Sequence, residues 1–267
     1  MKYKLLLSDI DGTLRPNGEA VIPRGNAEAV AAVQRLGVRF AVATGRGRAG
    51  IPDALLSGIE PDYWICAAGA QVLDREGNAI ASSRMDLETM EALTAFCEAG
   101  GYALLFHFSD GPYAYTGYDA IRRSALARGQ IPMARNGEDR RRHLAELPFS
   151  AAAVMPREAA ARFQADHSRL GLRFPYYSSG GCDILRPGQD KSLGLRMLLE
   201  HTGLSREECV SVGDGNNDVD ILRLAGLSYC VAGGEPDALE AADRTAPAAE
   251  TCAVAAVCRE IWPEAFA

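Results

Sequence analysis

The run Leu5-Leu6-Leu7-Ser8-Asp9-Ile10-Asp11-Gly12-Thr13-Leu14 decides how the rest of this 267-residue chain is read. Residues 3–7, apolar but for Lys4, read as a strand buried on both faces, and two carboxylates follow after Ser8. Positions i and i+2 of an extended chain share a direction, so both carboxylates can converge on one small volume. That volume lies at the carboxyl edge of a sheet, where open α/β folds bind ligands. Gly12 then lets the backbone turn away. Two acids so close repel each other unless a cation or a proton separates their roles. The same opening run is too short for the apolar region of a signal peptide and has no small-residue cleavage site, so it reads as a first strand.

Outward from this run, the chain alternates strand and helix. Pro23 opens a helix that stops at Gly37. Residues 38–43 and 63–66 read as second and third buried strands, a rhythm that predicts a parallel sheet covered on both faces. Residues 71–73 and 79–82 read as a hairpin. From Ser83 the texture changes. Asp86 caps a helix carrying Met90, Leu93, Phe96 and Cys97 at helical spacing. Strands at 102–108 and 113–116, a polar helical stretch, a strand at 151–154, a helix after Pro156 and strands near 172–177 and 182–185 follow. After Pro187 the first rhythm returns, with helix 191–201, strand 209–212, helix 218–225, strand 228–231 and a helix entered at Pro236. Ser205 and Glu208 match a capping box. The expected organisation is an α/β core of residues 1–82 and 187–267, interrupted by an α+β domain of residues 83–186.

Composition narrows the function. Apolar residues make up 48% and charged residues 24%, which excludes a disordered chain. No stretch approaches the ~18 apolar residues of a membrane span. Twenty-eight basic against thirty-five acidic residues leave a net charge of −7, without the global positive field of a nucleic-acid or membrane-surface binder. An anionic ligand must therefore be held by a few local cations and backbone amides. The seven cysteines are scattered, without a CxxC pair, and read as small buried hydrophobes in a cytoplasmic protein rather than zinc ligands or disulfides.

Other expected strand ends carry chemistry too. The second ends at Thr44-Gly45-Arg46, a hydroxyl and a flexible amide suited to a phosphoryl oxygen. The strand at 209–212 ends at Gly213-Asp214-Gly215-Asn216-Asn217-Asp218, whose hard oxygens suit Mg²⁺ better than zinc. Lys191 opens a helix near the same edge. Each has a bland reading alone, as a loop, a helix cap or a solvated first-turn lysine; their joint occurrence does not.

Together these residues resemble the four ordered motifs of the haloacid dehalogenase superfamily, and the insertion is similar to the cap of the Cof-type sugar-phosphate phosphatases. The resemblance spans nearly the whole chain and implies a Rossmann-like three-layer core with an inserted α+β cap. It implies that Asp9 is the nucleophile, forming an aspartyl-phosphate, and that Asp11 is the general acid and base. Mg²⁺ would be held by Asp9, Asp214 and the Asp11 carbonyl, with Asp218 in support. Thr44, Gly45, Lys191 and Asn217 would bind the phosphate. A carboxyl at position 11 favours the phosphatase branch over the dehalogenase branch. One departure stands out: the family often has Asn-Gly after the third strand, and here Ala67-Ala68-Gly69-Ala70 lacks the Asn.

The cap is expected to read the leaving group, with Tyr113, Tyr115 and Asp183 as specificity residues and Phe106, His107, Tyr176 and Tyr177 as further candidates. Packing within the cap is the competing role for its aromatics. Arg15, Arg46 and Arg48 lie near the motifs and aid an anionic substrate or are simply exposed. Arg140-Arg141-Arg142-His143, among acids, reads as a solvated helical face. The expected partner is a small phosphorylated metabolite: a sugar phosphate, phosphoglycolate, a phosphoglycerate derivative, or a flavin or pyridoxal phosphate. A phosphomannomutase-like mutase, a phosphorylatable signalling receiver and a silent sugar-phosphate-binding module are the rival readings.

Overall fold

Strand β1, Leu5–Ser8, is buried at every residue, as in a sheet covered on both faces. In the computed structural model, residues 1–127, 133–176 and 181–267 are described, the side chains of 124–127 excepted. After β1 come α1 (Arg24–Arg35), β2 (Arg39–Ala43), β3 (Tyr63–Cys66), β4 (Gln71–Asp74) and β5 (Ala79–Ser82). Next are α2 (Leu87–Gly100), β6 (Ala103–Phe108), β7 (Gly111–Thr116), α3 (Tyr118–Ala127), β8 (Arg135–Asn136), β9 (Ser150–Val154), α4 (Arg157–Asp166) and β10 (Cys182–Ile184). The chain ends with α5 (Lys191–Thr202), β11 (Cys209–Gly213), α6 (Val219–Leu224), β12 (Leu227–Val231), α7 (Pro236–Ala241), β13 (Arg244–Ala246) and α8 (Ala253–Ile261).

Two compact units emerge. Met1–Arg46, Ile51–Ala81 and Asp190–Ala267 form one; Gly47–Gly50 and Ser82–Gln189 form the other. The first is built on an eight-stranded sheet in the order β13-β12-β11-β1-β2-β3-β4-β5. Its pairs from β13 to β3 are parallel, whereas β3 and β4 are antiparallel. One face carries Leu6, Phe40, Val42, Val210 and Val212 against Val30 and Val33 of α1 and Val254 and Val257 of α8. The other carries Leu5, Leu7, Ala41, Ala43 and Ile65 against Leu195 and Leu198 of α5 and Ile221 of α6. Alternation along β1 thus feeds two apolar layers, one on each side of the sheet. In register, Ser8 stands beside Val42 of β2 and Val212 of β11, so the three chains leave the sheet together at one edge.

The second unit holds a five-stranded sheet in the order β10-β9-β6-β7-β8. Leu104, Phe106, Phe108, Ala151, Ala153, Cys182 and Ile184 pack against Met90, Leu93 and Cys97 of α2 and Ala160 and Phe163 of α4. Asp86 caps α2 by accepting from the Thr89 N–H at 2.8 Å.

Several expectations are corrected. The helix expected at 218–225 starts as a 3-10 turn, Asn216–Asp218, before α6. Instead of a strand at 172–177, Arg173 and Tyr176 make isolated bridges to Leu185 and Cys182, and Tyr177 lies outside the described residues. Arg140–His143 is not a helical face: only Arg142–Leu144 turns, as a 3-10 element, and Arg142 lies between Asp110 and Glu146. Strand β13 and helix α8 were not read from the sequence. Of the expected Ser205–Glu208 capping box, Glu208 Oε2 accepts from the Ser205 N–H at 2.9 Å, and all seven cysteines are free.

Candidate active site

Because β1, β2 and β11 end together, their loops share one edge. Asp9 continues the β1 ladder by donating its N–H to the Val212 carbonyl at 3.0 Å. It is 7% exposed. Lys191, 1% exposed, opens α5 and donates from Nζ to Oδ1 of Asp9 and to Oδ1 of Asp218, each at 2.6 Å. The other Asp218 oxygen accepts from the backbone N–H groups of Asp214 and Gly215 at 3.1 and 3.0 Å. Asp218 therefore links the loop after β11 to the lysine. Asp214 accepts from Thr13 Oγ1 at 2.5 Å. Carboxylate oxygens of Asp9, Asp214 and Asp218 lie within 4.8 Å of one another.

Burial dominates the electrostatics. It pushes Asp9 up to about 7, against the opposing pull of Lys191 and with help from Asp218 and Asp214. It pushes Asp214 up to about 6, partly offset by the Thr13 hydroxyl. Lys191 is held above the ordinary lysine range: the paired Asp218 and Asp9 carboxylates outweigh the desolvation that acts the other way. Three acids against one ammonium leave an excess of negative charge around hard oxygen donors. That set fits a divalent cation of the Mg²⁺ kind, and poorly fits a soft metal.

Glycine keeps the acids close. Gly12 has a φ of +87°, and a Cβ there would lie 2.2 Å from Asp214 Oδ2. Only a residue without a side chain admits this approach.

Asp11 faces different company. Its two carboxylate oxygens are taken separately, Oδ1 by Arg15 Nη2 and Oδ2 by Arg46 Nη2 at 2.7 Å. Thr44 is buried after β2, its hydroxyl accepting from the Arg46 N–H at 3.2 Å; Gly45 beside it is half-buried. Asn217 is exposed. In the second unit, Tyr113 and Tyr115 lie on the helix-covered face of the sheet with Phe108, and Tyr115 OH meets His143 Nδ1 at 3.0 Å. Asp183, flanked by the inward-packed Cys182 and Ile184, takes the opposite face beside Ala152. His107 shares that face and contacts Ser150 Oγ at 2.9 Å.

Two contributors were missed. Thr13 orients Asp214, and Glu235 fixes the loop by donating its N–H to the Asp214 carbonyl at 2.7 Å while its carboxylate accepts from the Asn216 N–H at 2.9 Å. Thr13 lay inside the quoted run, where a hydroxyl after Gly12 was the available signal. Glu235, in a distant loop, had none.

A family model of haloacid dehalogenase-like hydrolases matches residues 6–257. Pyridoxal phosphate phosphatase YbhA of Escherichia coli is 24% identical over 252 residues, covering 90% of this chain and 92% of that protein. The chloroplastic endoribonuclease YBEY of Arabidopsis thaliana is 24% identical over 265 residues, 91% of this chain. The chain spans 44% of that protein's length and 50% of a further relative from Streptococcus pyogenes, about half in each case. Among solved structures, the phosphatase BT1666 from Bacteroides thetaiotaomicron superposes with a TM-score of 0.83 at 19% identity, covering 97% of this chain and 94% of that one. The subclass IIB sugar phosphatase BT4131 superposes at 0.82 with 23% identity, covering 96% and 98%. At such identities the likeness is one of fold.

Proposed function

This chain belongs to the haloacid dehalogenase-like hydrolases, and from that premise we propose that it hydrolyses a small soluble phosphomonoester, with sugar phosphates as the first class to test. The observation that carries this reading is the buried Lys191–Asp9 pair at 2.6 Å, set among the carboxylates of Asp214 and Asp218. In the proposed reaction an Asp9 oxygen attacks phosphorus, the new P–O bond forms and the ester P–O bond breaks. Lys191 occupies Oδ1, which orients the carboxylate and leaves Oδ2 for the attack. Asp11 gives a proton to the departing alkoxide and then takes one from the water that cleaves the aspartyl-phosphate.

Thr44 and Lys191 are assigned to the phosphoryl oxygens, where positioning and charge supply most of the catalysis. Mg²⁺, held by Asp9, Asp214 and the Asp11 carbonyl with support from Asp218, would supply the positive charge that lets an anionic nucleophile meet an anionic substrate. Asn217, Gly45 and Asp183 remain in the proposal as phosphate-side and specificity contributors.

The test is phosphate release across a panel of metabolite monoesters with and without Mg²⁺. Wild type is expected to turn over at least one class, and Asp9→Asn to lose about 10³-fold or more in kcat with its melting transition retained. Full turnover by Asp9→Asn would remove Asp9 as nucleophile. Interconversion of sugar phosphates without phosphate release would replace the hydrolase by a mutase.

A further inference from the structure

The charge around the candidate site is divided. Asp9 and Asp218 pair with one ammonium, with Asp214 beside them, whereas Asp11 pairs with two guanidiniums. If the arginines served only to neutralise Asp11, one would suffice. Arg15 is held from behind by donating Nη1 to the Glu19 carbonyl, and its side chain is 15% exposed. Its Nε–H is buried and has no acceptor among the described residues. A guanidinium carries five donors in a fixed fork suited to planar carboxylates, and the pair already donates to one, the Asp11 carboxylate, an oxygen to each arginine.

Asp11 is also the group assigned to the leaving oxygen of the ester. Guanidiniums one hydrogen bond beyond it therefore lie within about 6 Å of that oxygen, the reach of a substituent one carbon away. Resting on the phosphatase reading, we propose that Arg15 and Arg46 form an anion subsite beside Asp11, which selects phosphomonoesters whose alcohol carries a carboxylate next to the ester. The substrate class narrows to phosphorylated hydroxy acids and sugar acids. As the substrate carboxylate takes up guanidinium donors, it frees Asp11 from them to face the ester oxygen. Arg15 is thus a specificity residue.

The test has two arms. In turnover, phosphoglycolate is compared with ethyl phosphate. Wild-type kcat/KM is expected to favour phosphoglycolate by about 30-fold, and Arg15→Gln to cut that ratio about tenfold, chiefly through the KM for phosphoglycolate, with Arg15→Lys recovering part of it. In binding, 3-phosphonopropionate and propylphosphonate, which cannot be hydrolysed, are titrated calorimetrically into wild type and Arg15→Gln. A preference of about tenfold for the carboxylate in wild type, lost in the variant, upholds the subsite. Equal affinities for the two phosphonates in wild type overturn it, whatever the variant does. An equal loss on both esters in Arg15→Gln also overturns it, since that is the mark of a merely structural arginine. Hydrolysis without selectivity removes the subsite and leaves the phosphatase reading; phosphonate selectivity without hydrolysis removes the phosphatase reading and leaves the subsite.

Discussion

A lysine in the first turn of a helix faces the positive end of the helix dipole, and Lys191 is buried there as well. Nothing local favours that arrangement. Asp9 and Asp218 stabilise the ammonium, and it in turn keeps two buried carboxylates from lying unpaired. Lys191→Met keeps the length of the side chain and removes its charge. It is expected to destabilise the protein by about 3–5 kcal/mol in chelator at neutral pH, because the loss of one partner strands the other charges. Urea denaturation checks this; a midpoint equal to wild type contradicts the pair's role. At this scale much of the site was legible, since Asp9, Asp214 and Lys191 are unusual residue types at strand and helix ends. The pairing of Asp11 with both arginines was not. It depends on side-chain directions across two loops, which spacing does not encode.

Among the elements, the loop after β3 and the start of α5 fit together through missing side chains. Gly69 has a φ of +85°, and a Cβ there would lie 1.9 Å from the Asp190 carbonyl oxygen. Gly194 is as tight, its Cβ position 2.3 Å from Ile65 Cγ2. Asp190 caps α5 by accepting from the Leu193 N–H at 3.1 Å, so this contact sets where Lys191 begins. Gly69→Ala is expected to cost about 2–4 kcal/mol from backbone clash and left-handed strain, and to lower kcat by displacing Lys191. Thermal melts and phosphate release measure both; an unchanged melt would show that α5 is placed by something else. The preceding Ala67 and Ala68 have φ of 52° and 51°, a conformation that Asn or Gly adopts more readily. The backbone turn is therefore present although the Asn of the resembled pattern is absent.

Long strands and capped helices were legible because burial and capping are local patterns. Short elements were not. Residues 173 and 176 make only bridges, and β13 spans three residues, Arg244–Ala246, two of them exposed. Such segments become strand only because a neighbouring edge supplies hydrogen bonds.

For the molecule as a whole, the parallel α/β core foreseen from the strand–helix rhythm is present, and its two apolar layers follow from β1 alternating into both. The five-stranded sheet of the other unit has its own apolar cluster, separate from those of the core. The net charge is −7, yet the site gathers acids and cations into adjoining groups. That local division of charge, invisible in the total, is what an anionic substrate would meet. Covalent chemistry at Asp9 is the central step of the proposed reaction. Rapid-quench mass spectrometry of the peptide containing Asp9, during turnover of a hydrolysed monoester with Mg²⁺, tests it most directly. A phosphoryl adduct on Asp9 that forms and decays at the rate of turnover is predicted. Phosphate release with no adduct at any time, or an adduct confined to another residue, would contradict it.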